Sequence, residues 1–338
     1  MRTRDIDAAA VQTLLAAAVA APSIHNTQPW RFGLDAGNGS VEVRAAGRRL
    51  PMTDPDLRAR HLSVGAAVFN LRVAAAHLGW VPVVRLLPAE ADPELLATVH
   101  LAGAGGEGPP SLRWLYEAVE RRHSSRMPFT GRPVPETIVT EMTAAARTQG
   151  ARLEVPDIMG TRRLLRLTRA GEARNASHPG RTAEAHSCLT APGTGSGYGI
   201  PVTAVGALDA SGWMPMRDFT GRLPVPRLPA LHFERHAQVA LLWTARDRRE
   251  DWLRAGQALQ HVLLTATSYG VRTSILHQAM EWMDLRAAVA GAQQRCPQLL
   301  IRFGYGPEGG RTPRAAAYAA SSPTPGAAVP GEGAASSG

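Results

Sequence analysis

The stretch Pro22-Ser23-Ile24-His25-Asn26-Thr27-Gln28-Pro29-Trp30 sets Ser23, Asn26 and Gln28 on a loop pinned by two prolines. Proline fixes φ, so short donors and acceptors on such a loop are held in place, an arrangement that suits a flat heteroaromatic ligand. The same residues would also serve as a capped turn leading into a strand.

A second stretch, Arg122-His123-Ser124-Ser125-Arg126, alternates its chemistry. In extended backbone Arg122, Ser124 and Arg126 point to one face. Two guanidiniums with a hydroxyl between them make a phosphate clamp that is always charged. The plainer reading is a solvated basic helix end, favoured by the helix dipole.

Several other signals carry less. His232 and His236 are spaced i, i+4, but the order HFERH is not the zinc-protease order and no third ligand stands nearby, so no metal is expected. The alternating glycines of GTGSGYG follow no clear strand and open no clear helix, so the dinucleotide fingerprint is not met. The leucines of TRRLLRLTRAGEAR fit one buried helical face with arginines solvated around it. No side chain is read as a catalytic acid, base or nucleophile.

The elements that must position the two stretches follow from periodicity. An Ala-rich helix over 8–20 ends at Pro22, strands follow in QPWRFGLD and SVEVRAAG across an AGNG turn, and a helix occupies 55–80. VPVVRLLP and ATVHLAG read as strands and GAGGEGPP at 103–110 as a linker. Beyond it come a helix over 111–123 with Ser111 as N-cap, a helix near 136–147, the strand ARLEV and a basic helix over 160–173. The strand QVALLWTA, the helix DWLRAGQALQHVLLTATSYGV and the buried strand PQLLIRFGYG complete the series.

GAAVFNLRVAAAHLG at 65–79 and GQALQHVLLTATSYG at 256–270 have equal length, begin and end on glycine, and are offset by 191 residues. They suggest a duplicated unit; two amphipathic helices sharing small residues by chance is the alternative. Residues 176–232, rich in Gly, Pro and Ser, form a long insertion of the kind that serves as a lid. Its GWMPMRDF offers Trp213, Met214, Met216 and Phe219 either to cover an apolar ring or to pack in the core. The segment 316–338, of Ala, Pro, Ser and Gly, is expected to be a disordered tail.

The 338-residue chain is 44% hydrophobic, which supports a substantial core. Its net charge of +9 comes entirely from arginine, without a single lysine, and the arginines are scattered rather than run together with exposed aromatics. Neither nucleic acid nor a membrane is therefore the expected partner. Cys188 and Cys296 show neither CxxC spacing nor a disulfide framework, and with no export signal read at the N-terminus a reducing cytoplasm is the expected compartment.

Together the two polar stretches resemble the FMN-dependent nitroreductase superfamily, whose members carry an R-[RH]-S-x-[RK] arm and a P-S-x-x-N-x-Q-P-W loop. In that family the arm precedes the loop, and each flavin lies between two subunits of a homodimer. Here the loop at 22–30 has no arm before it, and the arm at 122–126 is followed by AAARTQGARLEV where a second loop would fall. The chain is thus similar to the fused, two-unit actinobacterial Acg family, to which AGQALQHVLLTATSYG, PQLLIRFGYG and RTPR also conform.

The resemblance implies an α+β, nitroreductase-like fold in two tandem units, 1–110 and 111–315, each with a mixed β-sheet flanked by helices, forming an intramolecular pseudo-dimer. It implies one FMN per chain, NAD(P)H as electron donor, and a monomer. Pro22, Ser23, Asn26 and Gln28 would contact the flavin, Arg122, His123, Ser124 and Arg126 would hold its polar tail, and Arg311 or Arg314 would complete the phosphate site. Leu276, His277 and Gln278 would approach the N5 edge, where a donor stabilises negative charge. The implied activity is reduction of flat acceptors such as nitroaromatics or quinones. A flavin-sequestering protein closed by the 176–232 insertion and a cofactor-free scaffold are the other readings.

Overall fold

The computed structural model describes residues 6–35, 37–103, 108–191, 196–220, 228–316 and 319–321. The centre of the 103–110 linker and most of the expected tail lie outside the described residues.

The first helix, Ala8–Val19, starts at Asp7, whose carboxylate accepts from Ala10 N at 2.7 Å. After the polar loop come strands Trp30–Asp35 and Ser40–Ala45, the helix Arg58–His77, and strands Val81–Leu86 and Leu95–Ala102. The second half repeats this sequence of elements: helix Glu136–Thr148, strand Arg152–Glu154, strand Gln238–Thr244, helix Arg249–Ser268, and strands Arg272–Leu276 and Cys296–Gly304. In each half the first strand pairs with the second, the second with the fourth, and the fourth with the third, all antiparallel. The architecture is α+β.

The helices Arg58–His77 and Arg249–Ser268 cross at the centre and touch through backbone. A Cβ on Gly65 would stand 2.2 Å from Leu253 O, and one on Gly256 would stand 2.1 Å from Leu62 O. Leu62 and Leu253 are themselves 191 positions apart, so the two contacts are the same contact exchanged. One turn on, Phe69 stacks on His261 at 4.7 Å, and Gln260 Nε2 donates to Asn70 Oδ1 at 2.6 Å. Under the same offset Phe69 corresponds to Gln260 and Asn70 to His261, which again exchanges one contact for the other. Such reciprocity is how a two-fold interface is built.

Four expectations are corrected. The helix placed over 111–123 is two short ones, Pro110–Arg113 and Tyr116–Arg121, with the wholly buried Leu115 between them. Pro110 rather than Ser111 opens it, because proline needs no N–H partner in a first turn. The second sheet is antiparallel throughout, and the first is mixed only through an added edge strand, Ala319–Ser321, parallel to Trp30–Asp35. That strand lies within the segment expected to be disordered; backbone pairing to a sheet edge needs no apolar side chain.

The insertion contributes the helix Pro179–His186 and two minimal parallel pairs, Leu189–Thr190 with Ile200–Pro201 and Leu208–Asp209 with Ala230–Leu231. A helix unforeseen from the sequence, Met283–Ala290, follows the strand Arg272–Leu276. Among the described residues no helix is long and apolar enough to cross a membrane.

Candidate flavin site

The loop after the first helix is strained as well as polar. His25, Asn26 and Gln28 hold φ of 48°, 54° and 47°, each costing about 1–3 kcal/mol when forced on a side chain poorly suited to it. Local bonds hold the shape: Ser23 Oγ accepts from Gln28 N at 3.0 Å, and Ile24 N donates to Ser63 Oγ at 3.2 Å. Asn26 Nδ2 reaches Gly199 O at 2.8 Å in the insertion and Pro313 O at 3.0 Å near the C-terminus. One side chain therefore ties the loop to two distant segments.

Arg122-His123-Ser124-Ser125-Arg126 runs extended beside the strand Arg272–Leu276, with Ser125 N donating to Thr273 O at 2.8 Å. The strand thereby presents Arg122 and Arg126 to a cavity of about 160 Å³ that Arg311 and Arg314 also line, together with Pro22, Ser23, Asn26, His123 and Ser124. Arg122 donates to Ala20 O at 3.2 Å, yet its Nε and Nη1 are buried without a partner among the described residues. Arg314 Nε and His123 Nε2 are likewise buried and unpartnered among the described residues. Among the described residues no carboxylate forms an ion pair with Arg122, Arg126 or Arg314. Burial, then Arg314 and Arg311, lower Arg122 to about 9, and burial lowers Arg126 and Arg314 to about 10. Cations held at such cost without a counter-charge fit a phosphate monoester.

The cavity continues past Pro22, Ser23, Ser124 and Arg126, which line both spaces, into a second of about 140 Å³. Leu62, Leu259, Ile275, Leu276 and Leu299 make its wall apolar, and Met216, Arg217 and Phe219 from the insertion close one side. Its polar edge is a buried ion network centred on Glu281, which accepts from His277 Nδ1 at 3.2 Å, Arg181 at 3.1 Å, Asn175 at 2.8 Å and Arg217. Burial alone would raise the Glu281 carboxyl, but Arg217 and the His277 hydrogen bond outweigh it and hold it down to about 2.

The structure brings Pro22, Ser23, Asn26, Arg122, His123, Ser124, Arg126, Arg311 and Arg314 to the first cavity and Leu276, His277 and Gln278 to the second. Arg311 and Arg314 both line this first cavity. Gln28 does not belong with them. It lines neither cavity, and its amide is spent on Gly197 O at 2.6 Å and Ala315 N at 3.1 Å. Those two bonds hold the side chain against the insertion and the C-terminal segment. Of the N5-edge candidates, His277 N is already engaged by Gln278 Oε1 at 2.9 Å. Trp213 is 56% exposed under Arg169, and Met214 packs in the core, so the covering residues are Met216, Arg217 and Phe219.

Arg217 and Glu281 carry no signal in the sequence that marks them, and neither does His25 within the Pro22–Trp30 stretch. The only local trace was the i, i+4 spacing of His277 and Glu281, which is too common to single out a site.

No family model matches the chain. Among curated proteins of Mycobacterium tuberculosis, one named "Putative NAD(P)H nitroreductase Rv3131" is 32% identical over 314 residues, covering 91% of this chain and 88% of its own. Another of the same description, acg, is 30% identical over 320 residues and covers 91% of both chains. Similar solved structures include the FMN-dependent nitroreductase NfnB from Mycobacterium smegmatis in complex with NADPH (18% identity, 60% of this chain and 95% of that one, TM-score 0.37). A nitroreductase with bound FMN from Desulfitobacterium hafniense covers 65% of this chain and 99% of its own, at 12% identity and TM-score 0.37. Similarity to the curated relatives runs along almost the whole chain, and the protein belongs to the Acg-like family of the nitroreductase superfamily.

Proposed function

We propose that this protein is an FMN-dependent oxidoreductase that takes reducing equivalents from NAD(P)H and passes them to a flat acceptor such as a nitroaromatic or a quinone. The observation that carries the reading is the continuity of an uncompensated arginine cradle with an apolar cavity, through Pro22, Ser23, Ser124 and Arg126. FMN, when bound, supplies the hydride chemistry. The chain's own part is to hold the phosphate on Arg122, Arg126, Arg311 and Arg314, to seat the ring against Leu276 and Leu299, and to exclude water with Met216 and Phe219.

The two halves act as an internal pseudo-dimer with one site. The loop comes from residues 1–110 and the arm from 111–315. The exchange-related position is an open cleft of about 450 Å³ lined by Gln149, Gly150, Glu250 and Arg254. Glu250 and Arg254 stand where the offset carries Ala59 and Ser63, and among the described residues neither a Pro-Ser loop nor an arginine arm lines that cleft.

The test is a visible spectrum of the purified protein and of the supernatant after denaturation, followed by NAD(P)H-driven reduction of a supplied quinone. A flavin spectrum with about one FMN released per chain, and reduction faster than with free FMN, is the expected result. A protein that is colourless and fails to take up added FMN would overturn it.

One observation favours a second reading, in which the protein sequesters flavin. Met216, Arg217 and Phe219 all reach the cavity from the insertion. Removing the insertion should then speed reduction of bound FMN by dithionite, and an unchanged rate would refute a sequestering cover.

A further inference from the structure

Two histidines line the apolar cavity, and an arginine holds each in the same way. Arg217 Nη1 lies 3.0 Å from His25 Nε2, and Arg58 Nη2 lies 3.1 Å from His277 Nε2. Arginine has donors only, so each Nε2 must accept, and each neutral ring carries its proton on Nδ1. Burial, then Arg217, hold the His25 imidazole well below its ordinary value, and burial lowers His277 as well.

The two then differ in one respect. His277 Nδ1 has an acceptor, Glu281 Oε1, at 3.2 Å. His25 Nδ1, on a residue only 8% exposed, is buried and has no acceptor among the described residues. A buried donor without an acceptor is costly, and here it sits on a residue held at φ 48° with its ring edge-on to Phe219 at 5.0 Å. Three constraints therefore converge on the orientation of one ring, and together they leave its N–H unused by the protein.

We propose that His25 is a ligand-binding residue whose Nδ1–H donates to an oxygen on the flat compound in the apolar cavity, and that Arg217 is the positioning residue that fixes the tautomer. This rests on reading the cavity as a flavin and acceptor site. A ring carbonyl, nitro or phenolate oxygen satisfies the donor, while a ligand with no acceptor atom at that place leaves it orphaned. The oxygen has two sources, a carbonyl of the flavin or an oxygen of the acceptor.

The first arm of the test is independent of turnover. Long-range proton–nitrogen spectra of full-length protein labelled with ¹⁵N-histidine, with the His25 signal assigned by its loss in His25→Asn, identify the protonated nitrogen. The expected tautomer is Nδ1–H, giving way to a mixture in Arg217→Gln, whose amide can both donate and accept. A His25 protonated on Nε2 overturns the proposal even if the other variants fail to fold.

The second arm separates the sources by titrating flavin-stripped protein with FMN and the flavin-loaded protein with 4-nitrophenol. His25→Leu removes the donor, whereas His25→Asn keeps one on a residue that tolerates positive φ. Loss of a hydrogen bond in a buried site predicts about tenfold weaker binding in the leucine variant, with recovery in the asparagine variant. Weakened FMN binding assigns the oxygen to the flavin, and weakened 4-nitrophenol binding assigns it to the acceptor. If folded His25→Leu binds both as the wild type does, the donor role is wrong. If the wild type takes up no FMN, the flavin reading fails, while the tautomer and the 4-nitrophenol titration of the flavin-free protein still decide the role of His25.

Discussion

Gly65 and Gly256 meet where the two central helices cross, so closely that a Cβ on Gly65 would stand 3.0 Å from Gly256 Cα. Helix propensity alone would favour alanine at either position by about 1 kcal/mol. The backbone carbonyls of Leu253 and Leu62, at 2.2 and 2.1 Å from the added carbons, cannot give way without parting the helices. Gly65→Ala and Gly256→Ala should each destabilise the fold by about 1–3 kcal/mol net, as overpacking does. The double variant should cost less than the sum, because one separation relieves both clashes. Urea melts of the three variants provide the check.

Arg122 and Arg314 crowd a cavity where, among the described residues, no carboxylate is ion-paired to either. If a phosphate completes them, Arg122→Gln should weaken FMN by at least about 2 kcal/mol, the scale of a charge-assisted bond. Riboflavin, which has no phosphate, should bind the variant and the wild type alike. Parallel titrations with the two flavins test this. An equal loss for both would assign Arg122 to packing instead.

Glu281 gives the protein an acid-sensitive centre. Its carboxyl stands near 2 in the fold against an ordinary 4.5, so it stabilises the native state above about 4.5 and loses that contribution as pH falls toward 2. The linked loss is on the order of 3 kcal/mol. Glu281→Gln should flatten this part of the stability profile and lower stability at neutral pH, since Arg217 and Arg181 lose their counter-charge. Denaturant melts between pH 2 and 5 measure the slope.

Asn26 and Gln28 stand two positions apart in one loop but should behave differently. Asn26 lines the cradle and bonds to Gly199 and Pro313, so Asn26→Ala should lower both stability and FMN affinity. Gln28 bonds to Gly197 and Ala315 away from either cavity. Gln28→Ala should therefore cost about 1–2 kcal/mol of stability with a smaller change in FMN affinity. Thermal melts paired with FMN titrations distinguish the two.

The regular elements were legible because period and end signals are local. Pro22 after Ala8–Val19, the AGNG turn after Trp30–Asp35 and the length of Arg249–Ser268 each report on neighbours a few residues away. The break at Leu115 and the edge strand Ala319–Ser321 were not legible, since a buried leucine and a free sheet edge are supplied by other parts of the chain.

The sequence by itself determined the two polar stretches and the doubled helix pattern. In each, contiguous residues fix which groups share a face, whatever the rest of the chain does. Only the tertiary structure decided that Gln28 turns away from the cavities, that Arg217 reaches His25 across 192 positions, and that Glu281 gathers His277, Arg181 and Arg217 around one carboxylate. Those pairings depend on where the insertion and the C-terminal segment pack against the central helices. Burial then makes a missing partner costly, and so gives the unpaired donors their meaning.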